Sequence, residues 1–187
     1  HRFIEGLYLL NTAKRISIRD VKEALEIPRG LTSGEVFDFE REETLVDIGA
    51  YCVMPNHFHL LVREKDDKGR GISKFMQKLM TSYTMYVNKK YDRTGALFGS
   101  SFKARHVTGD VHLKYLFAYI HLNPRDVAGV AQLAQYEHSS YQEYIGIDRA
   151  QKSILNPSAF PDYFAGNLKR EIKEWATEKY PDFLPEV

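Results

Sequence analysis

The chain has 187 residues, 43% of them hydrophobic and 13% aromatic, which is enough apolar mass for one compact domain with some added structure and too much for a disordered polymer. A single cysteine, Cys52, excludes an internal disulfide framework and any multi-cysteine zinc site. Net charge is +1 but unevenly spread: residues 63–106 hold 11 Lys/Arg against 4 Asp/Glu, while residues 1–62 hold 7 against 10 and residues 126–187 hold 6 against 10.

No apolar run reaches the roughly 18–20 residues that span a bilayer, and the N-terminus lacks a signal-peptide pattern. The expectation is therefore a soluble, cytoplasmic protein with no membrane partner. In chain order, "RFIEGLYLLNTA" (2–13) spaces Phe3, Leu7 and Leu10 as a helix does, and "IRDVKEALEI" (18–27) predicts a second helix, followed by the loop "PRGLTSGE". "TLVDIGAYCVM" (44–54) is β-branched and aromatic and reads as a strand. Pro55 and Asn56 supply turn chemistry, and "HFHLLVRE" (57–64) reads as the returning strand of a β-hairpin.

After the polar loop 65–71, "ISKFMQKLMTSYTMYVNKKY" (72–91) repeats apolar residues at Ile72, Phe75, Met76, Leu79, Tyr83, Tyr86 and Val87, a long amphipathic helix. "FGSSFKARHV" (98–107) is a candidate strand. "DVHLKYLFAYIHL" (110–122) predicts a helix that stops at Asn123 and Pro124. The remainder is acidic, broken by "NPSAFPDY", and reads as a short C-terminal helical appendage. The domain division expected is 1–146 and 147–187.

The basic middle block is where a polyanion would be drawn, because counterion release from phosphates dominates non-specific nucleic-acid affinity. Lys74, Lys78, Lys89, Lys90, Arg93, Lys103 and Arg105 are its candidate DNA contacts, and Tyr83, Tyr86, Tyr91 and Phe102 are interleaved with them as candidate stacking residues. Half of these aromatics are expected in the core. A basic block alone is more often a solvated helix face.

The sharper signal is "MPNHFHLLV" (54–62). On a strand, His57 and His59 project to one side of the sheet and Phe58 to the other. Two adjacent neutral imidazoles can hold one divalent ion, whether Zn, Mn, Fe, Co or Ni. On the later helix, Tyr115, Tyr119 and Asn123 follow one another at four-residue steps and share a face. A tyrosine oxygen is a competent nucleophile when a base or metal eases its deprotonation, and an amide oxygen one turn on can reach the same metal. Against this stand the ordinary roles of such residues: polar groups on a solvated sheet face, half-buried tyrosines, and Asn before Pro as a helix stop.

The strand "YCVMPNHFHLLV", the helix "ISKFMQKLMTSYTMYVNKKYDRTGALF", the basic "FKARHV" and the helix "YLFAYIHLNPRDVAG" occur in that order. Together they resemble the single-tyrosine HUH transposases of the insertion-sequence 200/605 group, closest to the REP-associated tyrosine transposases. The resemblance covers about residues 45 to 145, including "HSSYQEYIG". It implies an α/β (α+β) ferredoxin-like antiparallel sheet with helices packed on it, with Tyr119 as nucleophile and His57, His59 and Asn123 as ligands of Mg2+ or Mn2+. It further implies single-stranded DNA as partner, hairpin- or repeat-associated, cleaved through a 5′-phosphotyrosine intermediate and rejoined without ATP. A homodimer is compatible with it. Members of the group begin with a strand upstream of the first helix. Here His1 already lies in the region matching that helix, so the N-terminal strand is expected to be missing, leaving an unpaired sheet edge.

Two other functions fit the same residues. One is a catalytically silent single-stranded nucleic-acid-binding module of the same fold. The other is a metal-dependent hydrolase that uses the histidine pair without the tyrosine and forms no protein-linked intermediate.

Overall fold

The computed structural model describes residues 1–28, 34–65 and 67–162. Its centre is an antiparallel hairpin, β1 (Val46–Val53) and β2 (Phe58–Glu64), with helices packed on both faces, which makes the chain a mixed α+β protein. Among the described residues no further strand joins the sheet; one isolated bridge, Cys52 to Ser139, extends it at β1.

The alternation of side chains along β2 decides which helix packs where. Phe58, Leu60 and Val62 join a core with α1 (Arg2–Leu9) and α3 (Gly71–Lys90), built on Phe3, Leu7, Phe75 and Leu79. Leu61, with Ala50 and Cys52 of β1, faces the opposite core, shared with Phe117, Ile120 and Leu122 of α4 (Asp110–Leu122). A bulge between Ile48 and Ala50 shifts the parity of β1, so Ile48 and Tyr51 share the α1/α3 side although they are an odd three positions apart. Beyond the bulge, Cys52 stands opposite His59 on the α4 side.

Local chemistry sets the ends of the helices. The first helix was expected to reach residue 13 but stops at Leu9, because Asn11 turns into the core: its amide nitrogen donates to the Val46 carbonyl and its oxygen accepts from the backbone of Leu45 and Val46. Ser17 caps α2 (Ile18–Ala24), which ends with Glu26 at φ 56° and the Ile27 amide bonded back to the Lys22 carbonyl, a left-handed stop just before Pro28. The first turn of α3 is held by Glu64, whose carboxylate accepts from the Ile72 amide. Gly71 is obligatory there, since a Cβ would strike that carboxylate and the Leu45 carbonyl.

The expected strand 98–107 carries no regular structure. Its aromatic side chains anchor it instead: Phe98 sits against Phe58 and Tyr83, and Phe102 packs on the α1/α3 core. The segment pairs with neither strand of the described sheet, so no ladder holds its backbone extended.

The described residues after 146 pack back onto α1 and β1. Ile154 is buried in the α1/α3 core, the Asn156 amide donates to the Ile48 carbonyl, and the Phe160 ring lies where a side chain on Gly49 would be. Residues 163–187, most of the expected C-terminal appendage, lie outside the described residues.

Candidate active site

The site is built at the tip of the hairpin, where β2 leaves the turn and α4 ends. The turn closes with the Met54 amide bonded to the His57 carbonyl, which delivers His57 and His59 to the α4 face and Phe58 to the other. The two imidazole rings stand 4.9 Å apart at 83°. The Tyr119 ring meets His59 edge-on at 5.2 Å. One turn further along α4, the Oδ1 of Asn123 lies 3.2 Å from Nε2 of His57. The strand pair, the tyrosine and the amide therefore converge at one end of the molecule.

The donor atoms suit a divalent ion. The Nδ1 of His57 is 2.7 Å from the Oδ1 of Asn56, so in the neutral ring it carries the proton and donates to that oxygen. Nε2 then turns a lone pair toward the lone pairs of Asn123 Oδ1. Protonation of Nε2 would satisfy both atoms, and so would a cation. Two ligands at right angles on an octahedral ion, each about 2.1 Å from it, lie about 3 Å apart, close to the spacing found.

His59 adds a second sign. Its Nε2 is buried and has no hydrogen-bond partner, a costly state for a ring nitrogen. Burial, and secondarily the neighbouring His57, lower its pKa to about 4, so the ring is neutral and its lone pair available at pH 7. Among the described residues no three His, Cys, Asp or Glu side chains gather, so a third protein ligand for an ion at this pair would have to come from another residue type; the Asn123 amide oxygen is the one that lies against His57.

The two tyrosines on this face differ. Tyr115 is buried, and that burial raises its phenol pKa above the usual value, with Tyr119 adding to the effect. Tyr119 is only half-buried, beside His59, with its ring roughly parallel to that of Tyr115.

The basic residues separate into groups. Lys74 lines a groove of about 780 Å³ with Lys65, Lys68 and Arg70, at the end of the hairpin remote from the histidines. The Lys78 ammonium is bonded to the carbonyls of Thr12 and Lys14, tying α3 to the chain after α1. Lys89, Lys90 and Arg93 stand at the other end of α3, roughly 24 Å from Lys74 at 1.5 Å per residue. There Lys90 lies against the rings of Tyr86 and Tyr91, and Tyr91 is 64% exposed. Lys103 and Arg105 are exposed on the irregular segment. Tyr83 is packed against Phe3 and Phe98, so it belongs to the core side of α3.

Asn56, a turn former by its sequence, also orients His57, the kind of outer contact that fixes which ring nitrogen would face a metal. The adjacency of Asn56 to the first histidine was the available signal. Two further residues, His121 and Ser140, carry no signal in the sequence beyond their place in the longer motifs "YIHLNP" and "HSSYQEYIG". They form a buried contact on the far side of α4.

Residues 31–123 match the protein family described as Transposase IS200 like. The matched span holds the hairpin with both histidines, all of α3, and α4 through Tyr119 to Asn123. No curated protein and no solved structure matches the chain.

Proposed function

We propose that this chain, which belongs to the IS200-like transposase family by its residues 31–123, cleaves and rejoins single-stranded DNA through Tyr119 with a divalent ion held by His57, His59 and Asn123. The observation that carries the reading is the 3.2 Å approach of His57 Nε2 to Asn123 Oδ1, with the Tyr119 ring 5.2 Å from that of His59. Mg2+ or Mn2+ bound there would act as a Lewis acid on the scissile phosphate.

The chain's own residues do the rest. Tyr119 attacks the phosphorus. The bond from its Oη to phosphorus forms as the bond to the 3′-oxygen breaks, the phenol proton passes to solvent, and the 3′-oxygen takes up a proton. The products are a 5′-phosphotyrosine and a free 3′-hydroxyl, and the phosphodiester energy is kept in the protein linkage for rejoining. Asn56 holds His57 in the tautomer that presents Nε2. Lys89, Lys90, Arg93, Lys103 and Arg105 bind the phosphate backbone, and Tyr91 offers an exposed ring to a base.

Incubation of the protein with labelled single-stranded DNA and Mn2+ tests this. A band retained on a denaturing gel, whose adduct maps by peptide analysis to Tyr119, is expected. DNA binding with neither adduct nor cleavage would instead identify a silent binding module, and cleavage without adduct a metal hydrolase.

A further inference from the structure

Tyr119 and Asn123 can meet the histidines only if α4 holds one rotation about its own axis on the sheet. Residue 121 lies two places from each, on roughly the opposite side of a helix with 3.6 residues per turn. His121 occupies it and is completely buried, packed against Phe117 and Tyr144. An apolar side chain would fill that space without needing a hydrogen-bond partner. The histidine has one: its Nε2 is 2.8 Å from the Oγ of Ser140.

Ser140 is itself fixed to the strand beside the site. Its amide donates to the Tyr51 carbonyl at 2.9 Å, and its Oγ accepts from the Tyr51 amide at 2.9 Å. The next residue of β1, Cys52, is the register partner of His59. The segment carrying Ser140 is clamped in turn by Arg149, whose guanidinium donates to the carbonyls of Glu137 and Ser139 and pairs with both oxygens of Glu143. An unbroken run of hydrogen bonds thus leads from the back of α4 to the strand pair bearing His59. The Nδ1 of His121 is buried without a hydrogen-bond partner, so the bond to Ser140 is the ring's hold on this arrangement. A rotation of α4 that broke it would leave a second buried ring nitrogen unpaired, a cost that apolar packing alone does not impose.

We propose that His121 and Ser140 are positioning residues: their bond sets the rotation of α4 that brings Asn123 and Tyr119 against His57 and His59. The inference rests on the metal and tyrosine reading above. Neither residue touches DNA or the ion.

Calorimetric titration with Mn2+, paired with the adduct rate at saturating Mn2+ and DNA, tests it on wild type, His121→Leu, Ser140→Ala, the double variant and His121→Gln. Ile154→Ala, a cavity in the other core, serves as a control for lost stability. His121→Leu and Ser140→Ala are each expected to weaken Mn2+ binding on the order of 10–100-fold, as loss of outer contacts at metal sites does. The double variant should be no worse than either single one, because both remove the same bond. His121→Gln, whose amide can still reach Ser140, should recover most of the affinity, and Ile154→Ala should keep it at a comparable fall in Tm. Unchanged Mn2+ affinity in both single variants would overturn the proposal. So would additive losses in the double variant, or an equal loss in Ile154→Ala. A wild type whose Mn2+ binding ignores His57→Ala removes the metal reading itself, and the positioning role falls with it.

Discussion

The Nε2 of His57 and the Oδ1 of Asn123 lie 3.2 Å apart although 66 residues separate them in the chain. With the Nδ1 proton of His57 directed to Asn56, two lone pairs face each other across that gap, and the buried Nε2 of His59 stands nearby without a partner. On the proposed reading, a cation held there would give all three atoms a partner.

Metal affinity should therefore depend on each of these groups. His57→Ala and His59→Ala are expected to abolish measurable Mn2+ binding by calorimetry while leaving most of the DNA affinity, since phosphate contacts lie elsewhere. Asn56→Ala should keep the ligand but lose its orientation, with a drop on the order of 10–100-fold. Wild-type Mn2+ affinity in either histidine variant would refute the ligand assignment.

Removing one hydroxyl should stop the chemistry. In Tyr119→Phe the ring still packs beside His59, so the fold, Mn2+ binding and DNA binding are expected to survive while adduct and strand cleavage disappear. Tyr115→Phe should retain adduct formation, because its phenol is buried and that burial makes it harder to deprotonate. A full-yield adduct in Tyr119→Phe together with loss in Tyr115→Phe would move the nucleophile one turn back along α4.

The basic residues should separate by role. Charge removal at Lys103 and Arg105 is expected to flatten the salt dependence of DNA binding, by roughly 0.7 in log–log slope per lost phosphate contact on a single strand. Lys78→Met should leave that slope alone and instead cost about 1 kcal/mol of stability, because its ammonium serves the carbonyls of Thr12 and Lys14 at a partly exposed position. A flattened slope in Lys78→Met would mean that this lysine reaches DNA.

Alkaline unfolding should report the packing behind α4. The Tyr144 phenol donates to the Gly49 carbonyl, and burial raises its pKa well above the ordinary 10.0. The folded state thus holds this proton more tightly than the unfolded chain does. The associated stability is complete below about pH 10 and is lost as pH rises beyond it. Tyr144→Phe should shift the alkaline midpoint seen by circular dichroism upward; an unshifted midpoint would assign the transition to other groups.

The sequence by itself determined the elements and their chemistry. The two-residue period of a strand put His57 and His59 on one side of β2, and the four-residue steps of a helix put Tyr119 and Asn123 on one face of α4. Both are properties of a local backbone, independent of what surrounds it. Only the tertiary structure decided which faces meet. That Lys78 is spent on backbone carbonyls, that 98–107 runs without a strand partner, and that Asn11 ends the first helix early all depend on groups distant in sequence. The same holds for His121: its hydrogen bond to Ser140 spans two elements and a buried interior, where the cost of an unpaired polar group selects one arrangement, and no local pattern carries that information.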